Sequence, residues 1–255
     1  MQFTHEHREI QKTLKRFIDE EINPHVDEWE AAEIFPAHEV FKKMGNLGLL
    51  GLCKPEEYGG MGLDYSYSML MAETLGYIDC GGVPMAIGVQ TDMCTPALAR
   101  FGSDALRQEF LAPAIAGDMV GCIGVSEAGG GSDVAALKTR AEKDGDDYII
   151  NGSKMWITNG PSADTLIVYA KTAPDKNSRG ISAFIIEKGF KGFSVAQKLD
   201  KLGMRGSETG ELVFEDCEVP EENLMGPLNS GVEILMSGLD YERTEIGRAS
   251  CRERV

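Results

Sequence analysis

Apolar residues recur at helical spacing through the first third of the chain, then give way to short β-branched runs. Ile10, Leu14, Phe17 and Ile18 fall on one helical face, with Pro24 as the expected stop. Pro36 suits the first turn of a second helix, whose inward stripe is Val40, Phe41 and Met44 and whose stop is Gly45. Further amphipathic stretches cover 65–75 and 90–101, and Ser103 can N-cap a helix carrying Leu106, Phe110 and Leu111. From Gly117 onward the runs are 119–125, 148–151, 155–158, 165–171, 181–187 and 212–214. The segments Asp144-Gly145-Asp146, Asn151-Gly152, Asn159-Gly160-Pro161 and Asn177-Ser178-Arg179-Gly180 punctuate them as turns. Such spacing predicts an antiparallel β-barrel or sandwich rather than a βαβ sheet. After Pro220 a helix returns, with Val232, Leu235, Met236 and Leu239 on one face. The expected class is α+β: an all-α N-terminal domain (1–117), an antiparallel β domain (118–225), and a further helix (226–244).

Composition narrows the function. The chain has 255 residues, 42% of them hydrophobic, enough for one large or two modest cores. Acidic residues outnumber basic ones 41 to 25, for a net charge of -16. That balance repels nucleic acid and anionic membranes, so neither is expected as a partner, and an anionic ligand would need a locally basic site. The cysteines Cys53, Cys80, Cys94, Cys122, Cys217 and Cys251 show neither metal spacing nor a disulfide framework. With no signal segment or long apolar run, a reducing, cytoplasmic setting is expected. His5, His7, His25 and His38 are too scattered for a metal cluster and read as surface residues. Met69, Met71, Met85 and Met93 either fill core gaps or line an apolar ligand cavity.

Two stretches carry candidate chemistry. Gly124–Asp133 reads Gly-Val-Ser-Glu-Ala-Gly-Gly-Gly-Ser-Asp. Its three glycines let the main chain approach a ligand closely, and Ser126 and Ser132 add hydroxyl donors. Residues 155–160 read Met-Trp-Ile-Thr-Asn-Gly, and in a regular strand Trp156 and Thr158 share a face. An aromatic plate beside hydroxyl donors suits a flat, hydrogen-bonding ring such as a flavin. An ordinary loop and a core tryptophan are the plainer reading of the same residues. No Gly-Lys-Ser/Thr follows the glycines and no Gly-x-Gly-x-x-Gly opens a helix, which excludes the common phosphate loops.

Together with 201–220 (Lys-Leu-Gly-Met-Arg-Gly-Ser, then Leu-Val-Phe-Glu-Asp-Cys-Glu-Val-Pro), these stretches resemble, in order and spacing, the signatures of the flavin-dependent acyl-CoA dehydrogenases. The likeness runs from Phe3 to Thr244. Ala128 departs from it, standing where the family usually has proline. The resemblance implies FAD as cofactor, held by Ile123, Gly124, Val125, Ser126, Gly131, Ser132, Trp156, Ile157 and Thr158. Ser126 would meet the pyrimidine edge of the ring, Trp156 would flank it, and Thr158 would reach its reactive edge. Ser132, Ser178, Arg179, Asp240 and Arg243 would contact an acyl-CoA thioester. The implied reaction is α,β-dehydrogenation to the 2-enoyl-CoA, with electrons passed to an electron-transfer flavoprotein from a homotetrameric enzyme. An oxidase using oxygen is possible on the same fold.

The run 235–243, Leu-Met-Ser-Gly-Leu-Asp-Tyr-Glu-Arg, is most similar to the isovaleryl-CoA dehydrogenase branch, in which the base is the glutamate of this helix. Glu242 is therefore the candidate catalytic base; a solvated pair with Arg243 is the alternative. Glu233 departs from that branch, which has tyrosine there, and 35–102 resembles enzymes for other branched or terpenoid (citronellyl-type) acyl groups. In the family, 226–244 opens a C-terminal helical bundle that the chain does not contain. The last residues, 245–255, resemble the in-frame translation of a sequencing adapter and are set aside, a genuine tail being the alternative. The absent bundle also supports a non-enzymatic reading, a catalytically silent fragment that binds CoA thioesters.

Overall fold

A computed structural model describes residues 3–239 of the chain. Helix α1 (His5–Phe17) starts in a capping box between Thr4 and His7. Pro24 does not end the helical run. It occupies the first turn of a short 3-10 segment, where its missing N–H costs nothing, and the chain continues into α2 (Val26–Ala32). In α3 (Ala37–Asn46) the expected residues Val40, Phe41 and Met44 are buried. Gly45 does not stop this helix. A Cβ there would lie 2.2 Å from the Ala116 carbonyl oxygen, so its role is close approach between backbones.

Helix α4 (Tyr65–Leu75) matches the expected span, N-capped by Asp64. Helix α5 (Gly82–Gly88) passes through a π-helical stretch, Val89–Cys94, into α6 (Thr95–Phe101). The run thus begins before Gln90; Gly81, Gly82 and Pro84 read as breakers in the sequence and mask the start. Ser103 caps α7 (Asp104–Leu106), and helical turns continue into α8 (Ala112–Ala116).

Eight strands follow: β1 (Gly121–Gly124), β2 (Arg140–Asp144), β3 (Asp147–Thr158), β4 (Thr165–Lys171), β5 (Ile181–Glu187), β6 (Phe193–Lys198), β7 (Thr209–Pro220) and β8 (Leu224–Met225). Their order is β6-β7-β3-β2-β4-β5-β8, with β1 beside β4. The sheet is mostly antiparallel, as expected, but β1 and β2 both pair in parallel with β4. Sequence spacing misses β2 and β6 because their side chains are mainly exposed and carry no apolar alternation. Asn151-Gly152 is not a turn. It is a bulge inside one long β3, where Gly152 (φ +148) leaves room for Thr139, which a Cβ would meet at 2.6 Å.

Period-two alternation in β4 and β5 serves two cores. Ile167, Tyr169, Ala183 and Ile185 pack with Leu98 and Phe110 of the helices. Leu166, Val168, Phe184 and Ile186 pack with Tyr148 and Phe214 across the sheet. A third cluster, centred on Phe41, Met44 and Ile18, lies within the helices. Polar ties join helices to sheet. Gln90 accepts from Gly121 N (2.7 Å) and donates to Met119 O (2.9 Å), and the Asp164 carboxylate, which accepts from Val120 N (2.8 Å), meets His38 Nε2 of α3 at 2.8 Å.

Residues 231–239 form α9. Asn229 N donates to Ser182 Oγ (2.8 Å), and Gly231 sits where a Cβ would be 2.8 Å from Ile181 O, so α9 starts hard against β5. That contact turns Ile234 inward together with the expected Leu235, with Val232 and Leu239 partly buried against the same core; of the expected stripe only Met236 is exposed. His7 is likewise not a surface residue: it is buried, bonded to Ser66 Oγ (2.7 Å) and stacked on Tyr67. Among the described residues no His/Cys/Asp/Glu group could hold a metal, and no helix is long and apolar enough to cross a membrane.

Candidate active site

The Gly-rich stretch leaves β1 and folds back on itself. Glu127 and Gly130 exchange two backbone hydrogen bonds, Glu127 N to Gly130 O (2.9 Å) and Gly130 N to Glu127 O (3.1 Å). Met155 N donates to Ser126 O (2.9 Å), which lays the loop on β3. A Cβ at Gly131 would lie 3.2 Å from Ser126 Oγ, whereas one at Gly129 would meet nothing. Within the loop, Gly131 and Ser132 are exposed and Ser126 is half-buried. Upstream, Gly124 is buried and Ile123 and Val125 are half-buried.

Trp156 stands beside this loop with its indole 57% exposed, at a second bulge of β3 between Lys154 and Ile157. Its φ is +62, a left-handed value costing a non-glycine residue roughly 1 kcal/mol or more. The bulge breaks the alternation by which Trp156 and Thr158 would share a face. Thr158 is half-buried, while Ile157 is buried in the sheet core and has little surface to offer a ligand. Ser178 and Arg179 lie in the turn Pro174–Gly180, next to the turn Val134–Ala136 that ends the Gly-rich stretch. Ser178 is half-buried and Arg179 exposed. Asp240, Glu242 and Arg243 lie outside the described residues.

Beneath the loop is an ion pair that the sequence reading left out. Lys154 is fully buried, and its Nζ donates to Val125 O (3.1 Å) and Glu127 Oε1 (2.9 Å). Glu127 Oε1 also accepts from Thr139 N (2.9 Å) and Thr139 Oγ1 (2.6 Å), and Oε2 accepts from Lys138 N (2.6 Å). Burial alone would raise the Glu127 pKa, but Lys154 and Thr139 outweigh it and hold the carboxyl below its usual range. Burial pulls the Lys154 ammonium below its ordinary value, against the opposing pull of Glu127. A lysine in a run of otherwise ordinary strand residues was the available signal, but its partner is remote in sequence.

The Glu127 shift has a pH consequence. A depressed carboxylate pKa contributes stability above the unfolded value, about 4.3, and that contribution is lost as pH falls through the folded pKa. Wild type and Glu127→Gln are therefore expected to differ in thermal midpoint at pH 7, with the gap narrowing as pH falls below the unfolded value and through the lower folded one. Melting curves across that range check it; a gap that persists at low pH would contradict the sign.

A cavity of about 240 Å³ lies among the helices, lined in part by Cys53, Leu63, Tyr65, Pro96 and Ala99. None of the four candidate methionines lines it; Met71 is core and Met85 is exposed. At the loop, the donor set is two hydroxyls, an open glycine shelf and an exposed indole, which fits one wall against a flat polar ring.

Two family models match the chain: the N-terminal domain of acyl-CoA dehydrogenase over residues 4–118 and the middle domain of acyl-CoA dehydrogenase over residues 122–217. The chain belongs to the acyl-CoA dehydrogenase family. It is 48% identical over 237 residues to the mitochondrial isovaleryl-CoA dehydrogenase of Solanum tuberosum, covering 92% of this chain and 57% of that one. The butyryl-CoA dehydrogenase of Megasphaera elsdenii superposes with a TM-score of 0.92 at 34% identity, over 98% of this chain and 66% of that one. An acyl-CoA dehydrogenase from Bacillus anthracis, complexed with FAD, superposes with a TM-score of 0.90 at 36% identity, over 97% of this chain and 42% of that one. The chain thus spans less than two thirds of the length of each of these three acyl-CoA dehydrogenases.

Proposed function

We propose that this chain forms the helical (1–117) and β (118–225) parts, with the first bundle helix (226–244), of a cytoplasmic, FAD-dependent dehydrogenase for a short branched acyl-CoA. The substrate would be isovaleryl-CoA or a close relative. The observation that carries the reading is the Gly-rich loop bonded onto β3 next to an exposed, left-handed Trp156. FAD would accept hydride from the β-carbon. Ser126 and Thr158 would orient the ring by hydrogen bonds and Trp156 would cover one side. Ser132, Ser178, Arg179, Asp240 and Arg243 would hold the CoA portion, the arginines supplying positive charge within an acidic protein. Glu242 would take the α-proton. Electrons would pass to an electron-transfer flavoprotein, and the assembly would be a homotetramer in which bundle and neighbouring subunit complete the site.

The experiment is anaerobic addition of isovaleryl-CoA to the purified complete gene product. Retained yellow flavin that bleaches on addition supports the reading; a colourless protein, or flavin that stays oxidised, overturns it. The 255-residue chain alone is expected to lose flavin on gel filtration, since it spans only 57% of the length of its Solanum tuberosum relative.

In the complete protein, Trp156→Ala and Ser126→Ala are each expected to raise the FAD dissociation constant about 5–10-fold, from losses near 1 kcal/mol in ring contact or hydrogen bonding. Single-turnover reduction should change less than affinity does. Unchanged affinity with slowed reduction would remove both residues from the ring.

A further inference from the structure

We propose that Glu127 and Lys154 are positioning residues, a buried ion pair that forms the Gly-rich loop into its binding shape before any cofactor arrives. The inference rests on the flavin reading above. One carboxylate gathers the chain at three places: residue 127 itself, the strand lysine at 154, and the backbone at 138 and 139 where the loop rejoins β2. The stretch from 127 to 139 is therefore closed at its base by a single side chain, with both oxygens engaged. Lys154 in turn donates to Val125 O at the loop's entry, so it grips the first residue of the loop as well as its closing carboxylate.

Three glycines in a row leave the loop with more unbound conformations than any other segment of this length, and a ligand would have to order them on binding. The ion pair removes that task by fixing both ends. Its chemistry suits the role. An unpaired charge here would have no solvent to turn to, so the pair has one low-energy arrangement and that arrangement is the closed loop. Thr139, fully buried, donates through both its N–H and its hydroxyl and so orients the carboxylate toward Lys154.

The test titrates the apoprotein of the complete gene product with FAD, with the thermal midpoint of each apoprotein measured alongside. Lys154→Met strands a buried carboxylate and is expected to weaken FAD binding about 30-fold, the scale of breaking a buried charged pair. The double variant Glu127→Gln/Lys154→Met buries no lone charge and its one amide oxygen can still accept from Thr139, so its thermal midpoint is expected to recover above that of Lys154→Met. Without the Lys154 clamp on Val125 O and residue 127, its FAD binding is expected to stay about tenfold weaker than wild type. Thr139→Val keeps the side-chain shape and the ion pair but removes one of the four donors to the Glu127 carboxylate; it is expected to weaken binding about fivefold, so it carries the test if Lys154→Met does not fold.

Affinity unchanged in Lys154→Met or in Thr139→Val, or a double variant that binds FAD as tightly as wild type, overturns the positioning role while the flavin reading stands. A wild-type protein that binds no FAD overturns both.

Discussion

Glu242→Gln in the complete enzyme is expected to bind FAD and acyl-CoA yet lose flavin reduction by roughly 10²–10⁴-fold, the scale of losing a general base. The amide keeps the size of the side chain but cannot accept an α-proton at neutral pH. Glu242→Asp withdraws the carboxylate by one methylene and should fall between, since a misplacement of about 1 Å costs on the order of 10²-fold. The helix leading toward this residue has a fixed start. Asn229 is bonded to Ser182 and Thr172, Gly231 lies against β5, and Arg100 Nη1 holds Ser237 O at 3.1 Å. Stopped-flow bleaching with isovaleryl-CoA and with a straight-chain thioester of similar length measures the effect. Wild-type rates in Glu242→Gln would move the base to another residue and remove the isovaleryl assignment with it.

The second large effect concerns stability. Gly45→Ala is expected to cost about 3 kcal/mol, at the upper end of overpacking, because the new methyl would meet backbone rather than a movable side chain. For a unit of this size that corresponds to a fall in thermal midpoint of about 6–12 °C. Gly88→Ala is the matched control. It also lies in a helix, but nothing stands within 4 Å of its added Cβ. There the substitution is expected to stabilise by about 0.5–1 kcal/mol through helix propensity. Thermal unfolding of both variants decides it: equal effects would mean that α3 and α8 can separate without loss.

The fold was legible wherever burial imposed one period. The helices α3 and α4 and the strands β4 and β5 follow their apolar patterns closely, since each packs a face against a core. Legibility failed where tertiary contact overrode a local signal. Gly45, Gly152 and Pro24 carry breaker chemistry, yet the first two make room for neighbouring backbone and the third fits a helical turn. Strands β2 and β6 were unreadable for the opposite reason, as exposed segments held by backbone pairing, β2 with four charged residues of five. In the candidate site, the Gly-rich loop and Trp156 stood out by composition. Glu127, Thr139 and Lys154 did not, because a buried ion pair between remote residues leaves no periodic trace. The bulge at Trp156 was equally silent, since a left-handed residue that is not glycine has no sequence signature.

The parallel pairing of β1 with β4 also bears on how the chain is made. Gly121 pairs with Thr165, so the first strand leaves the ribosome 44 residues ahead of its partner. At about 5–20 residues per second, that interval lasts roughly two to nine seconds. The helices, whose contacts are largely local, can collapse within it, and Gln90 offers β1 a hydrogen bond from the helical side. The nascent molecule therefore carries an unpaired strand edge on a finished helical surface until Thr165–Lys171 emerges. Any crowding of neighbouring chains during those seconds meets that edge first.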